Sequence, residues 1–225
     1  MRFPDRDRDA TIKRYAERYR SHGYSPKSLG WDKGKQQLRF EILTSQYDFR
    51  GQHVLDIGCG FGDLNRTLAE KYGEHYRYTG IELVPDLLNE AVRRYERAGV
   101  GFIEGDFLST EECGGWDFAI ASGVFNHRLI AADNYDFIDA CIDKALAVCR
   151  DGLAFDFLSD KVDFQLEHTF HSSPERILEM AYRYSRNVIL RNDYMPFEFS
   201  VFIFNDDSFS ADDTVFERYK QLQRR

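Results

Sequence analysis

Residues 56–62 read Asp-Ile-Gly-Cys-Gly-Phe-Gly and follow directly on the apolar run His53-Val54-Leu55. No other stretch constrains the fold as strongly. A strand that ends in closely spaced glycines lets backbone approach a ligand where a Cβ would collide. A helix that follows offers free N–H groups and the positive end of its dipole. Asp56, two residues before the first glycine, is unsuited to a phosphate loop, and it points to a ligand that carries a positive centre.

The surrounding chain alternates between strand-like and helix-like stretches, the signature of an α/β fold. Strands are predicted at about 53–57, 76–82, 100–104, 117–121, 152–158, 187–191 and 197–204. Helices are predicted at about 9–21, 33–47, from 63 to 72, from Pro85 to Tyr95, 133–149 and 174–184. Pro85 and Pro174 suit first helical turns, and Ser173 suits an N-cap. Residues 159–172 are polar and aromatic without a period and read as a long functional loop. The organisation predicted is one domain: a helical cap over 1–50, a core over 51–205 and a charged tail over 206–225, as a short helix or a frayed end.

Composition narrows the partners. Of 225 residues, 30 are Lys or Arg and 38 are Asp or Glu, a net charge of −8. An acidic chain is a poor default partner for nucleic acid or an anionic membrane. The four cysteines form no C-x-x-C pair, so no zinc site is expected and the metal assignment is none. The N-terminus is densely charged, without the apolar segment of a signal peptide, and no apolar run reaches membrane-spanning length. These features predict a cytoplasmic protein with reduced thiols.

Three features stand at the ends of successive strands: the glycine turn, Glu82 24 residues after Gly58, and Gly105-Asp106-Phe107. An acid at the end of the second strand can accept from both hydroxyls of a ribose. Asp106 can accept from an adenine amino group and Phe107 can cover the ring. Each alone has a bland alternative as a turn or a helix cap, but their joint spacing is that of an adenosine crevice.

The segments Val-Leu-Asp-Ile-Gly-Cys-Gly-Phe-Gly-Asp (54–63), Gly-Ile-Glu-Leu (80–83) and Gly-Asp-Phe (105–107) resemble class I S-adenosylmethionine-dependent methyltransferases. The resemblance implies a Rossmann-like seven-stranded sheet of order 3-2-1-4-5-7-6 with strand 7 antiparallel. A dehydrogenase is the near competitor, but its third glycine would come one position later and it lacks the preceding acid. The resemblance implies S-adenosyl-L-methionine as cofactor, held by Trp31, Lys35, Gln36, Arg39, Asp56, Gly58, Gly60, Asp63, Leu64, Glu82, Leu83, Asp106, Phe107, Ser122 and Phe125. Within that set, Asp63 would face the donor ammonium, and Lys35 or Arg39 its carboxylate.

The segment Ser122-Gly123-Val124-Phe125-Asn126-His127 lacks the Asn-Pro-Pro-Tyr pattern of amino methyltransferases that act on bases or glutamine. His127, His168 and Asn126 are the candidate catalytic residues, the histidines because imidazole titrates near neutrality. Tyr24, Lys27, Asp163, His171, Arg191 and Tyr194 are the candidate acceptor-binding residues. The expected function is O-methylation of a metabolite, sugar or nucleotide-linked intermediate. The partners expected are a small-molecule acceptor, no nucleic acid and no membrane, with the chain a monomer or homodimer. The alternatives are a protein or RNA methyltransferase and a non-catalytic S-adenosylmethionine-binding protein.

Overall fold

The computed structural model describes residues 2–30, 35–111 and 115–223. Strands β1 (His53–Ile57), β2 (Arg77–Glu82), β3 (Val100–Glu104), β4 (Trp116–Ala121), β5 (Cys149–Leu158), β6 (Val188–Arg191) and β7 (Glu198–Phe204) form one sheet. Their order is β3-β2-β1-β4-β5-β7-β6. β1 pairs in parallel with β2 and β4, while β7 runs antiparallel to both β5 and β6. This is the topology the motif resemblance implies.

The helices are α1 (Asp5–His22), α2 (Gln36–Leu43), α3 (Leu64–Tyr72), α4 (Pro85–Tyr95), α5 (Asn134–Val148), α6 (Pro174–Tyr182) and α7 (Glu217–Gln223). No helix among the described residues is long and apolar enough to cross a membrane. Alternation along the strands divides the core into two layers, because successive side chains leave opposite faces. Leu55, Ala119, Phe155 and Val201 join α5 and α6 on one face. Val54, Phe118, Ala154 and Phe202 join α2 and α3 on the other. All seven residues of β7 are buried, as befits a strand hydrogen-bonded on both edges and covered on both faces.

Two regions gain detail beyond the sequence expectation. The 159–172 loop is pinned at two points: Ser159 bridges Ser172 and Thr169 bridges His127. The tail is more than one short helix. It forms a hairpin, β8 (Phe209–Ser210) with β9 (Asp213–Phe216), ahead of α7. The Arg218 guanidinium of α7 lies 3.3 Å from the centroid of the buried Phe204 ring and donates to the Gln46 carbonyl. The apolar face that Phe204 presents at the end of β7 gives the Arg218 side chain of this charged tail a place to dock.

Candidate functional site

The glycine turn leaves β1 through Gly58, Gly60 and Gly62 at φ of +67°, +57° and +72°. A left-handed backbone at alternate positions excludes ordinary side chains and crowds the turn against its neighbours. A Cβ on Gly58 would lie 2.7 Å from Val124 Cγ2, so this turn and the segment after β4 touch. Gly58 and Cys59 both donate to the Ile81 carbonyl, at 2.9 and 3.0 Å.

Glu82 locks this turn. Its Oε2 accepts from the Gly60 amide at 2.7 Å and its Oε1 from the Val84 amide at 2.8 Å. Each oxygen keeps a further lone pair, which is what a vicinal diol would need. Burial raises the Glu82 carboxyl above its usual range, and the amide hydrogen bonds oppose that rise. Asp56 is buried at the end of β1 and accepts from the Tyr78 hydroxyl at 2.7 Å. Burial pushes its carboxyl up to about 7; the Tyr78 hydrogen bond opposes, and the charges of Glu82, Asp156 and Asp63 add to the rise.

The next turn is brought in by the Gly105 amide, which donates to the Glu82 carbonyl at 2.9 Å. Asp106 accepts from the Ser109 amide at 2.9 Å, and the buried Phe107 forms a wall beside it. Across the cleft, the Ser122 hydroxyl and the Gly123 amide both donate to Asp156, at 2.7 and 2.6 Å. That carboxyl is buried, which pushes it up to about 6. Three acids therefore converge from the ends of β1, β2 and β3, and no lysine or arginine lines the cleft among the described residues. Such a cleft suits a ligand with a ribose, a flat ring and a positive centre.

Helix α1 covers this cleft. Asp7 near its start accepts from the amides of Ile130 and Ala131, at 2.6 and 3.0 Å. Near its end, the Tyr19 hydroxyl reaches Glu90 of α4 at 3.4 Å. Between these anchors Thr11 and Tyr15 line the cleft, and Tyr15 Oη lies 2.8 Å from His127 Nε2. Leu29 presses on the glycine turn, 3.1 Å from where a Gly60 Cβ would stand.

Of the residues singled out from sequence, Gln36, Asp56, Gly58, Gly60, Glu82, Leu83, Asp106, Phe107, Ser122 and His127 line this cleft. The others among the described residues stand elsewhere. Asp63 is tied up by the hydroxyls of Tyr24 and Tyr95, at 2.6 and 2.8 Å, so neither Asp63 nor Tyr24 faces the cleft. Leu64 is fully buried in the α3 layer. Phe125 is core, stacked at 5.3 Å on Phe157. Arg39 is buried and paired with Glu198 of β7, its Nε donating to Oε2 at 2.6 Å. Lys35 and Lys27 are exposed, and Trp31 lies outside the described residues.

The acceptor candidates fare similarly. The Asn126 side chain accepts from the Leu158 amide at 3.2 Å and so braces the β4 exit against β5. His168 and Asp163 are exposed. Both ring nitrogens of His171 are engaged within the loop, with the Ser159 carbonyl at 2.7 Å and Thr169 Oγ1 at 3.1 Å. Arg191 pairs with Asp193 at 2.8 Å, and the Tyr194 hydroxyl bonds Ser200 at 2.7 Å. The lining residues that sequence reasoning missed include Phe3, Thr11 and Tyr15. The helix predicted over 9–21 carried no sign of what it would cover.

Comparison with known proteins gives a consistent result. A family model described as "Methyltransferase domain" matches residues 54–152. The Mycobacterium tuberculosis protein named "Putative methyltransferase Rv1506c" is 32% identical over 156 residues, which cover 67% of this chain and 91% of that protein. A Mycolicibacterium smegmatis fatty-acid O-methyltransferase is 36% identical over 67 residues, 30% of this chain and 24% of that enzyme. Among solved structures, the magnesium protoporphyrin IX methyltransferase of Synechocystis with bound SAH aligns at a TM-score of 0.61 and 16% identity, covering 89% of this chain and 96% of that one. Human N-acetylserotonin methyltransferase in complex with SAM aligns at 0.64 and 13% identity, over 89% of this chain and 59% of that one.

Proposed function

The chain belongs to the class I S-adenosylmethionine-dependent methyltransferases, enzymes whose methyl donor is S-adenosylmethionine, and we propose that its acceptor is a small molecule methylated on oxygen. The observation that carries the small-molecule reading is the cover that α1 places over the cleft, anchored through Asp7 at one end and Tyr19 at the other. A folded protein or a duplex would have to displace that helix to reach the cleft.

The residues present fit the donor. Glu82 would accept from the ribose hydroxyls and Asp106 from the adenine amino group, with Phe107 beside the ring. Asp56 and the backbone of the glycine turn would face the amino-acid end and the sulfonium. The donor supplies an activated methyl group, transferred by in-line displacement at carbon. The protein's part is to align the acceptor oxygen, exclude water beneath α1 and accept the acceptor's proton. Burial pushes His127 down to about 4, with the positive charges of Arg14, His168 and Arg18 adding to this, so a neutral imidazole is present at neutral pH. His127 is the base in this reading, and Asn126 and His168 support it from outside the cleft.

Residues 1–50 then act as a cap, 51–205 as the transfer core and 206–225 as a tail, in a cytoplasmic monomer or homodimer. The similarity to a fatty-acid O-methyltransferase is in keeping with an oxygen acceptor. The test is turnover of S-adenosylmethionine with a panel of phenols, hydroxy acids, fatty acids and sugars, read as S-adenosylhomocysteine formed. His127→Ala should abolish turnover and leave S-adenosylhomocysteine binding within threefold. Equal turnover on unfolded RNA or peptide, with none on the panel, would overturn the small-molecule reading.

A further inference from the structure

Building on His127 as the base, we propose that Tyr15 of α1 is a catalytic residue that takes the acceptor's proton and hands its own to His127. The two side chains are 112 positions apart in sequence and meet at 2.8 Å, Tyr15 Oη to His127 Nε2. Both line the cleft.

Geometry leaves the imidazole no nitrogen for an acceptor. Nε2 is engaged by the Tyr15 hydroxyl in either tautomer. Nδ1 is shut off from the cleft and from solvent. Nδ1 has no hydrogen-bond partner among the described residues. The relay requires the Nδ1–H tautomer, in which Tyr15 donates to Nε2. The phenol oxygen still has lone pairs to offer to an acceptor hydroxyl in the cleft. Burial pushes the Tyr15 phenol up to about 12, with the nearby charge of Glu82 adding to the rise and Arg14 and Arg18 opposing it. A phenol held this firmly neutral serves as a relay rather than as a resident phenolate.

The step balances. The donor's methyl carbon bonds to the acceptor oxygen as its bond to sulfur breaks, and that electron pair stays on sulfur. The acceptor's hydroxyl proton moves to the Tyr15 oxygen while the Tyr15 proton moves to His127 Nε2. Tyr15 is neutral again at once, and the imidazolium loses its proton to solvent when product leaves. Arg14 and Arg18 of α1 and His168 of the 159–172 loop all act on the ring as positive charges, which speeds that loss. Because Tyr15 sits on the covering helix, the relay is complete only when α1 is docked.

The experiment pairs two variants with a spectrum. The nitrogen-15 spectrum of the imidazoles needs no acceptor: the wild-type protein should show His127 as the Nδ1–H tautomer, Nε2 accepting, without protonation down to pH 5. An Nε2–H tautomer or protonation near pH 6.5 would overturn the relay. With an acceptor from the panel, Tyr15→Phe should lower kcat by about 100-fold or more. KM and the calorimetric affinity for S-adenosylhomocysteine should stay within threefold. If His127→Ala is inactive and Tyr15→Phe is not, the relay fails and the base stands. If both variants turn over normally, the base assignment fails with it.

Discussion

The carboxylate of Glu82 accepts the amide hydrogen of Gly60 at 2.7 Å, so the acid that would bind a ribose also fixes the turn that lets the donor approach. Binding and shape are thus one device at this point of the cleft. Replacing Glu82 by Ala removes two charge-assisted hydrogen bonds within the protein, from Gly60 and Val84, and would remove the two proposed to the ribose. Each is worth roughly 1.5–3 kcal/mol. Calorimetry with S-adenosylhomocysteine should therefore show an affinity at least about 30-fold weaker. An unchanged affinity would place the ribose elsewhere.

Asp56 should make donor binding depend on pH. Its carboxyl is held up at about 7 by burial, and a cationic ligand favours the ionised form. Binding of S-adenosylmethionine should release a proton, so affinity should rise from pH 6 to pH 8 by at most about tenfold per unit. S-adenosylhomocysteine, which lacks the sulfonium charge, should show a shallower rise. The same shift has a stability consequence. The folded value of about 7 lies above the ordinary 3.8, so this group's contribution to stability is lost as pH rises through 7. Asp56→Asn should accordingly gain in Tm over the parent at pH 8 and not at pH 4.

Arg39 and Glu198 tie α2 to β7 inside the core. Removing one charge leaves the other buried, a loss of about 3–5 kcal/mol. Arg39→Met should show this in urea unfolding, and Arg39→Met combined with Glu198→Leu should recover most of it. If Arg39 serves the fold rather than the donor carboxylate, the double variant should keep its affinity for S-adenosylhomocysteine within threefold. A tenfold loss would return Arg39 to the donor site.

Gly58 has two reasons to be glycine: φ of +67° and a neighbour, Val124 Cγ2, 2.7 Å from its absent Cβ. A side chain here costs about 1–3 kcal/mol in backbone strain alone. Gly58→Ala should lower Tm measurably and also displace Val124. The S-adenosylhomocysteine affinity should fall even at temperatures where the variant is fully folded.

The donor half of the cleft was legible because its chemistry is local. Asp56, Gly58 and Gly60 lie within five residues, and Glu82, Asp106 and Phe107 stand at strand ends that a period of two already marks. Asp63 and Arg39 show the opposite case. Their charges are spent on distant partners, Tyr24 and Tyr95 in one case and Glu198 in the other, and no spacing in the chain announces such pairs. The His171 and Asn126 side chains likewise brace the backbone of the loop and the β4 exit.

The sequence by itself determined the sheet, its order through the motif resemblance, and the acids and glycines that line one wall of the cleft. Backbone conformation and strand-end position are short-range properties, and residue type reports them directly. Only the tertiary structure decided what covers that wall. Tyr15 reaches His127 because Asp7 caps two amides more than 120 residues away and Tyr19 leans on Glu90. Contacts of that separation depend on the packing of whole elements, and a helical stripe of apolar residues says that a face is buried without saying against what.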